Sequence, residues 1–239
     1  MLKKWDKQIL ALLLLNVLAI PAVMLTGVFF LNDRQFYFIS LTILFLGMLP
    51  FALLFENRKP EAKEVVVLSV MCAIAVTGRV AFFMVPQVKP ILAIIIITGI
   101  IFGKESGFLV GMMAAFVSNF FFGQGPWTPW QMMCMGLIGM LAGILFKRGR
   151  LPRNKYLIML YGGFSTLIIY GGIINIGAAL MWSSQINWQI ILSFYLTGLP
   201  FDLVHAGGTM LFLFILARPM IEKLERVQLK YGMAEATKN

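Results

Sequence analysis

Three ionisable side chains lie inside long apolar stretches of this sequence: Arg79, Asp202 and His205. A charge near the centre of a bilayer costs about 2.5–3.5 kcal/mol even on insertion scales, so each should face protein or water and have a partner. Asp202 and His205 are three residues apart and share one helix face. An Arg79–Asp202 pair would serve either as an ion pair that fixes helix packing or as a polar floor beneath a ligand. A second group surrounds the loop GQGPWTP: Asn119 before it, then Gln124, Trp127, Trp130 and Gln131. Indole faces pack against large flat ligands and amides hydrogen-bond their edges. The same residues also suit an aromatic belt at a membrane surface, and Asn119 a plain hydrogen bond between helices.

Covalent and metal chemistry has little to draw on. The sequence contains no GxxxxGK(S/T) phosphate loop, no HExxH and no GxSxG, so neither ATP hydrolysis by that loop nor zinc or serine hydrolysis is expected of it. His205 is the single histidine and makes no metal site alone. Cys72 and Cys134 fall within apolar segments, without metal-ligand spacing or disulfide logic, and read as packing residues. No cofactor, metal or catalytic residue is expected. Two readings stand beside that one: a membrane enzyme using Asp202, His205 and Arg79, and a scaffold subunit with no ligand.

The elements that must position these groups are helices in a membrane. Sixty per cent of the 239 residues are hydrophobic, 13% are charged, and the mean hydropathy is +0.87; soluble domains carry about a quarter charged residues. The apolar runs have helical length, with no alternation of the barrel-strand kind. Eight segments are expected, over residues 9–31, 36–55, 65–85, 91–102, the two arms of 107–146, 156–182 and 189–217. The last is expected to be interrupted at Gly198-Leu199-Pro200, and the charged tail 218–239 to form a short helix followed by disorder. The first apolar run is long enough to span and lacks a small-residue cleavage site, so no cleavable signal is expected. Segment 91–102 spans roughly 18 Å as a helix, too little for a core of about 30 Å. It is expected to be kinked, continuous with irregular backbone, or buried in protein. Small residues repeat every four positions at Gly107, Gly111 and Ala115, extended by Asn119, and again at Gly139 and Gly143. Such faces allow close backbone approach in lipid, which predicts a packed hairpin.

Charge sets the expected orientation. Of the 20 Lys and Arg, only Arg34 and Lys89 fall in outer loops if both termini are cytoplasmic, and Arg79 lies within the membrane. All others fall on the inner side, as the positive-inside rule requires. The net charge of +10 therefore reads as topology and attraction to anionic lipid rather than nucleic-acid binding. PQVKP, GQGPWTPW and SSQINW then share the outer face.

Arg79, PQVKP, GFLVGMMAAFVSNFFFGQGPWTPWQM and GLPFDLVHA resemble the substrate-binding S-components of energy-coupling factor (ECF) vitamin transporters, closest to the cobalamin or corrinoid group. The resemblance covers residues 64–217. FFFGQGPWTPWQM is specific, whereas GLPFDLVHA is shared more loosely. It implies an all-α, six-helix core over residues 64–239, here preceded by an extra transmembrane hairpin and charged linker at 1–63. It also implies a multi-pass protein of the bacterial cytoplasmic membrane that captures a vitamin, first guess cobalamin, near the outer surface. The partners would be a transmembrane coupling subunit and two cytoplasmic ABC ATPases, with delivery by toppling in the bilayer. Another vitamin or precursor is the alternative ligand. The ligand contacts it implies are Arg79, Asn119, Gln124, Trp127, Trp130 and Gln131, with Asp202 and His205 beneath. S-components contact the coupling subunit through an Ala-xxx-Ala face on their first core helix. Here the matching positions are Ser69, Ala73 and Thr77, small but not the same motif.

Overall fold

The computed structural model describes residues 18–26, 39, 42–43, 45–46, 49, 62–147, 150–183 and 187–232. Its described regular structure is helical throughout. Helix α1 is Ala62–Ala81, α2 Ile91–Phe102, α3 Lys104–Phe122 and α4 Trp127–Ala142, which continues as a π-helical turn, Gly143–Lys147. Helix α5, Lys155–Ser165, passes through a second π-helical turn, Thr166–Gly171, into α6, Gly172–Trp182. Helix α7 is Trp188–Lys230. Five of the resulting rods are long and apolar enough to cross a membrane, with Ile91–Phe102 as a sixth, shorter one. The expected N-terminal hairpin lies largely outside the described residues. Of those described, 18–26 are helical, and Ile20, Met24, Ile39 and Ile43 are buried within the hydrophobic core.

The centre of the fold is a three-helix contact made through glycine. A Cβ on Gly107 of α3 would collide with the backbone carbonyl of Gly139 on α4, and one on Gly139 would collide with that of Gly107. Gly111 meets Met135 and Gly136 in the same way, and Gly99 of α2 meets Gly139. The expected hairpin is therefore present, and it holds α2 as well. Lipid tails are as apolar as leucine, so helices associate there by packing, which close backbone approach maximises.

That contact explains the short helix. Every residue of Ile91–Phe102 is buried, so α2 is surrounded by protein, where a helix need not match the bilayer thickness. It ends at Gly103, whose φ of 103° suits a residue without a Cβ. Its last carbonyls are satisfied from other elements: Lys147 Nζ donates to Phe102 O at 2.8 Å and Gln228 Nε2 to Ile101 O at 3.3 Å.

Helix α7 departs from expectation. Gly198-Leu199-Pro200 does not interrupt it, because one helix of 43 residues contains both Pro200 and Pro219; the helical start expected of the tail is its continuation to Lys230, and the disorder expected after it falls on residues 233–239, outside the described residues. Membrane helices tolerate proline because neighbouring helices and local backbone adjustment re-satisfy the freed groups. Gly198 adds to this by packing directly on the Asn175 side chain of α6.

The glycine contact yields a stability prediction. Gly139→Val should lower the thermal midpoint of the detergent-solubilised protein, corresponding to about 3 kcal/mol, the upper end of overpacking costs. Gly172→Ala, where an added Cβ meets nothing within 4 Å, should leave the midpoint within about 0.5 kcal/mol of the parent. Equal midpoints for the two variants would show that the close approach does not hold the helices together.

Candidate functional site

Helix α1 has one buried stripe, Leu68, Met71, Ala75, Val76 and Arg79. The spacing is helical, so the apolar face that packs on the core also carries the guanidinium inward near the end of the helix. Arg79 is only 8% exposed. Its Nη1 donates to Ser118 Oγ and, at 2.8 Å, to Asn119 Oδ1, both near the end of α3. Its charge lies over the Phe122 ring, 4.4 Å from the centroid, and Lys89 Nζ approaches the same ring at 5.3 Å. Burial, and then the Arg79 charge, lower the Lys89 ammonium below its ordinary pKa.

The loop between α3 and α4 is tied by one hydroxyl. Thr128 Oγ1 donates to Gln124 Oε1 at 2.9 Å and accepts from Asn119 Nδ2 at 3.1 Å and from Gly125 N at 3.2 Å. One hydroxyl can donate once and accept twice, so Thr128 is saturated. Asn119 also donates to Gln131 Oε1 at 2.8 Å, and Gln124 Nε2 donates to the Phe116 carbonyl at 2.9 Å. Asn119 is fully buried and spends its amide on protein, which makes it the joint between Arg79, Thr128 and Gln131. Thr128 was not expected from the sequence. The available signal was its place four residues after Gln124 and three before Gln131, which brings all three together once α4 begins at Trp127.

The two tryptophans occupy different settings. Trp127 folds its ring over Gly125 and donates its indole N–H to Gly123 O at 3.3 Å. Trp130 is 7% exposed and lies against Gly177 of α6, where an added Cβ would sit 2.6 Å from its ring.

Tyr170 is a further group that sequence reasoning missed. It belongs to the π-helical turn, a local widening of the helix that shifts the side chains after it and recurs at functional sites. Its ring meets His205 edge-on, centroids 4.8 Å apart. The next residue, Gly171, leaves space for Asp202, since a Cβ there would lie 2.7 Å from Oδ2. Asp202 accepts from Asn175 Nδ2 at 2.7 Å. Tyr195 OH donates to Gly172 O at 2.7 Å beside them.

The Arg79–Asp202 pair, left open by the sequence, is not formed. The π-helical turn gives Asp202 a partner on α6, while Arg79 is held by α3. Asp202 and His205 do share a face of α7, directed at the π-helical turn. The structure thus joins Arg79, Asn119, Gln124 and Gln131 into one network through Thr128. It sets His205 against Tyr170 and leaves Asp202 in a second pair with Asn175. No group of three or more His, Cys, Asp or Glu able to hold a metal occurs among the described residues.

A family model described as ECF-type riboflavin transporter, S component, matches residues 59–225. The chain belongs to this family. A UPF0397 protein of Vibrio atlanticus (strain LGP32) is 29% identical over 126 residues, covering 50% of this chain and 69% of the relative. A UPF0397 protein of Aliivibrio salmonicida (strain LFI1238) is 30% identical over 131 residues, covering 50% and 68%. No solved structure matches significantly. As an S component with apolar helices this is a multi-pass membrane protein, and the family is that of a transporter subunit, not of an enzyme.

In this S component the Thr128 hub is testable without a ligand. Thr128→Val keeps the volume but strands the Gly125 N–H and one donor of the Asn119 amide. It should cost about 1–3 kcal/mol, read as a lowered thermal midpoint. Thr128→Ser retains the hydroxyl and should stay within about 1 kcal/mol of the parent. A valine variant as stable as the serine variant would remove the hub.

Proposed function

We propose that this S component captures a vitamin-type solute at the outer face and delivers it inward by toppling, driven by a coupling subunit and two cytoplasmic ABC ATPases. The observation that carries the reading is the convergence of polar groups from α1, α3, α4, the π-helical turn and α7 at one end of an otherwise apolar helix bundle. Convergent polar groups within apolar walls are what small-molecule sites use to fix orientation. Trp127, Gln124 and Gln131 supply aromatic and amide contacts near the loop, and Arg79 and His205 supply polar contacts deeper in. Asn119 and Thr128 position them, Trp130 closes the wall against α6, and Asp202 with Asn175 forms the lower rim.

Two solutes are in contention. Cobalamin or a related corrinoid is favoured by the resemblance carried by FFFGQGPWTPWQM, and riboflavin by the family's description. Calorimetric titration of the purified full-length protein with each should give saturable binding of one, weakened about tenfold by Trp127→Ala, the loss expected of a well-packed aromatic contact. If a different vitamin binds, the solute changes and the capture role stands. If folded protein binds no vitamin, solute capture is removed and a ligand-free scaffold role takes its place.

Coupling is assigned to the Ser69, Ala73 and Thr77 face of α1. All three side chains are exposed, on the opposite side of the helix from the Arg79 stripe. Small exposed residues permit close docking of a partner helix in lipid. Ala73→Trp should leave solute affinity within about twofold, since the residue faces away from the site, and abolish co-purification with the coupling subunit. Retained co-purification would move the coupling face elsewhere.

A further inference from the structure

The described charges around the candidate site do not balance, and the imbalance has a sign. Arg79 is 92% buried by its 8% exposure, yet no carboxylate among the described residues pairs with it. The two hydrogen bonds it makes both leave from Nη1 and go to neutral acceptors. The remaining N–H groups of the guanidinium have no hydrogen-bond partner among those residues. Lys89 adds a second positive charge on the same Phe122 ring. His205, 6% exposed, packs edge-on against Tyr170, and its Nδ1 is buried with no hydrogen-bond partner. Asp202 instead accepts from the Asn175 amide.

A buried guanidinium without a counter-charge is costly, and an orphaned imidazole nitrogen adds to that cost. Both costs fall if an anion enters. Arginine is also the side chain whose planar fork fits carboxylate and phosphate oxygens. Resting on the solute-capture reading above, we infer that the solute carries an anionic group, a carboxylate or phosphate. That group is received between the free edge of Arg79 and Lys89, with a neighbouring solute hydroxyl or N–H donating to His205 Nδ1. Of the two solutes in contention, cobalamin carries a phosphodiester in its nucleotide loop and riboflavin carries no formal charge.

The test uses matched pairs that differ in the anion: pantothenate and pantothenol, flavin mononucleotide and riboflavin, and cobinamide phosphate and cobinamide. Binding is titrated on the full chain in nanodiscs of phosphatidylcholine. One anionic member should bind about ten- to a hundredfold more tightly than its neutral mate, the span of a charged hydrogen bond. Arg79→Gln should collapse the difference to about threefold or less and Lys89→Gln should reduce it, so the lysine variant decides should the arginine variant fail to fold. A neutral member binding as tightly as its anionic mate overturns the anion while leaving solute capture intact. Silence across the panel overturns both. If phosphatidylglycerol in the nanodisc abolishes the difference, the anion belongs to a lipid headgroup and the solute assignment is overturned.

Discussion

Close backbone contact among α2, α3 and α4 is the constraint on which the rest depends. In water the hydrophobic effect would gather these helices; between lipid tails it offers almost nothing, and packing must do the work. Gly99, Gly107 and Gly139 let three backbones meet at one place, so each helix is fixed in register relative to the others. Once they are fixed, a helix too short to span can exist, because α2 is enclosed by protein and its terminal carbonyls are reached by Lys147 and Gln228. The same register places the end of α3 opposite the start of α4, which is where the polar network forms.

The network divides into satisfied and unsatisfied parts. Thr128 and Asn119 use their hydrogen-bonding capacity within the protein, and a buried polar network that is fully satisfied is rigid. It forms a support that holds the arginine, the loop amides and α1 in one arrangement. Arg79 and His205 sit on that support with capacity to spare. In the solute-capture role proposed above, this separates groups that position from groups left to receive a polar molecule. Had the guanidinium been paired with Asp202, the bundle would have been neutralised internally and the solute left with less to recognise.

The two faces of α1 connect the site to the transport role. The stripe ending in Arg79 packs inward, and the stripe of Ser69, Ala73 and Thr77 points out of the bundle. One rigid helix thus carries the buried Arg79 and an exposed face of small residues. In the toppling mechanism proposed above, a rigid link of this kind would let the bundle tip as a unit.

Much of this was determined by the sequence alone. Hydropathy and length set a helical membrane protein, because only helices or closed barrels satisfy the backbone in lipid. Four-residue spacing of small residues set the α3–α4 hairpin, since that period is the helix's own. The string from Gly107 through Met132, with Arg79 and GLPFDLVHA, carried the likeness to S-components, which the family match establishes. Partner choice among the buried polar groups was decided only by tertiary structure. Arg79 could have met Asp202 or Asn119 as far as spacing shows, and the π-helical turn that turns Tyr170 to His205 and opens Gly171 to Asp202 leaves no periodic signature. Local patterns report which face a side chain occupies; which group stands opposite depends on helix rotation and depth, and these are set by contacts between residues far apart in the chain.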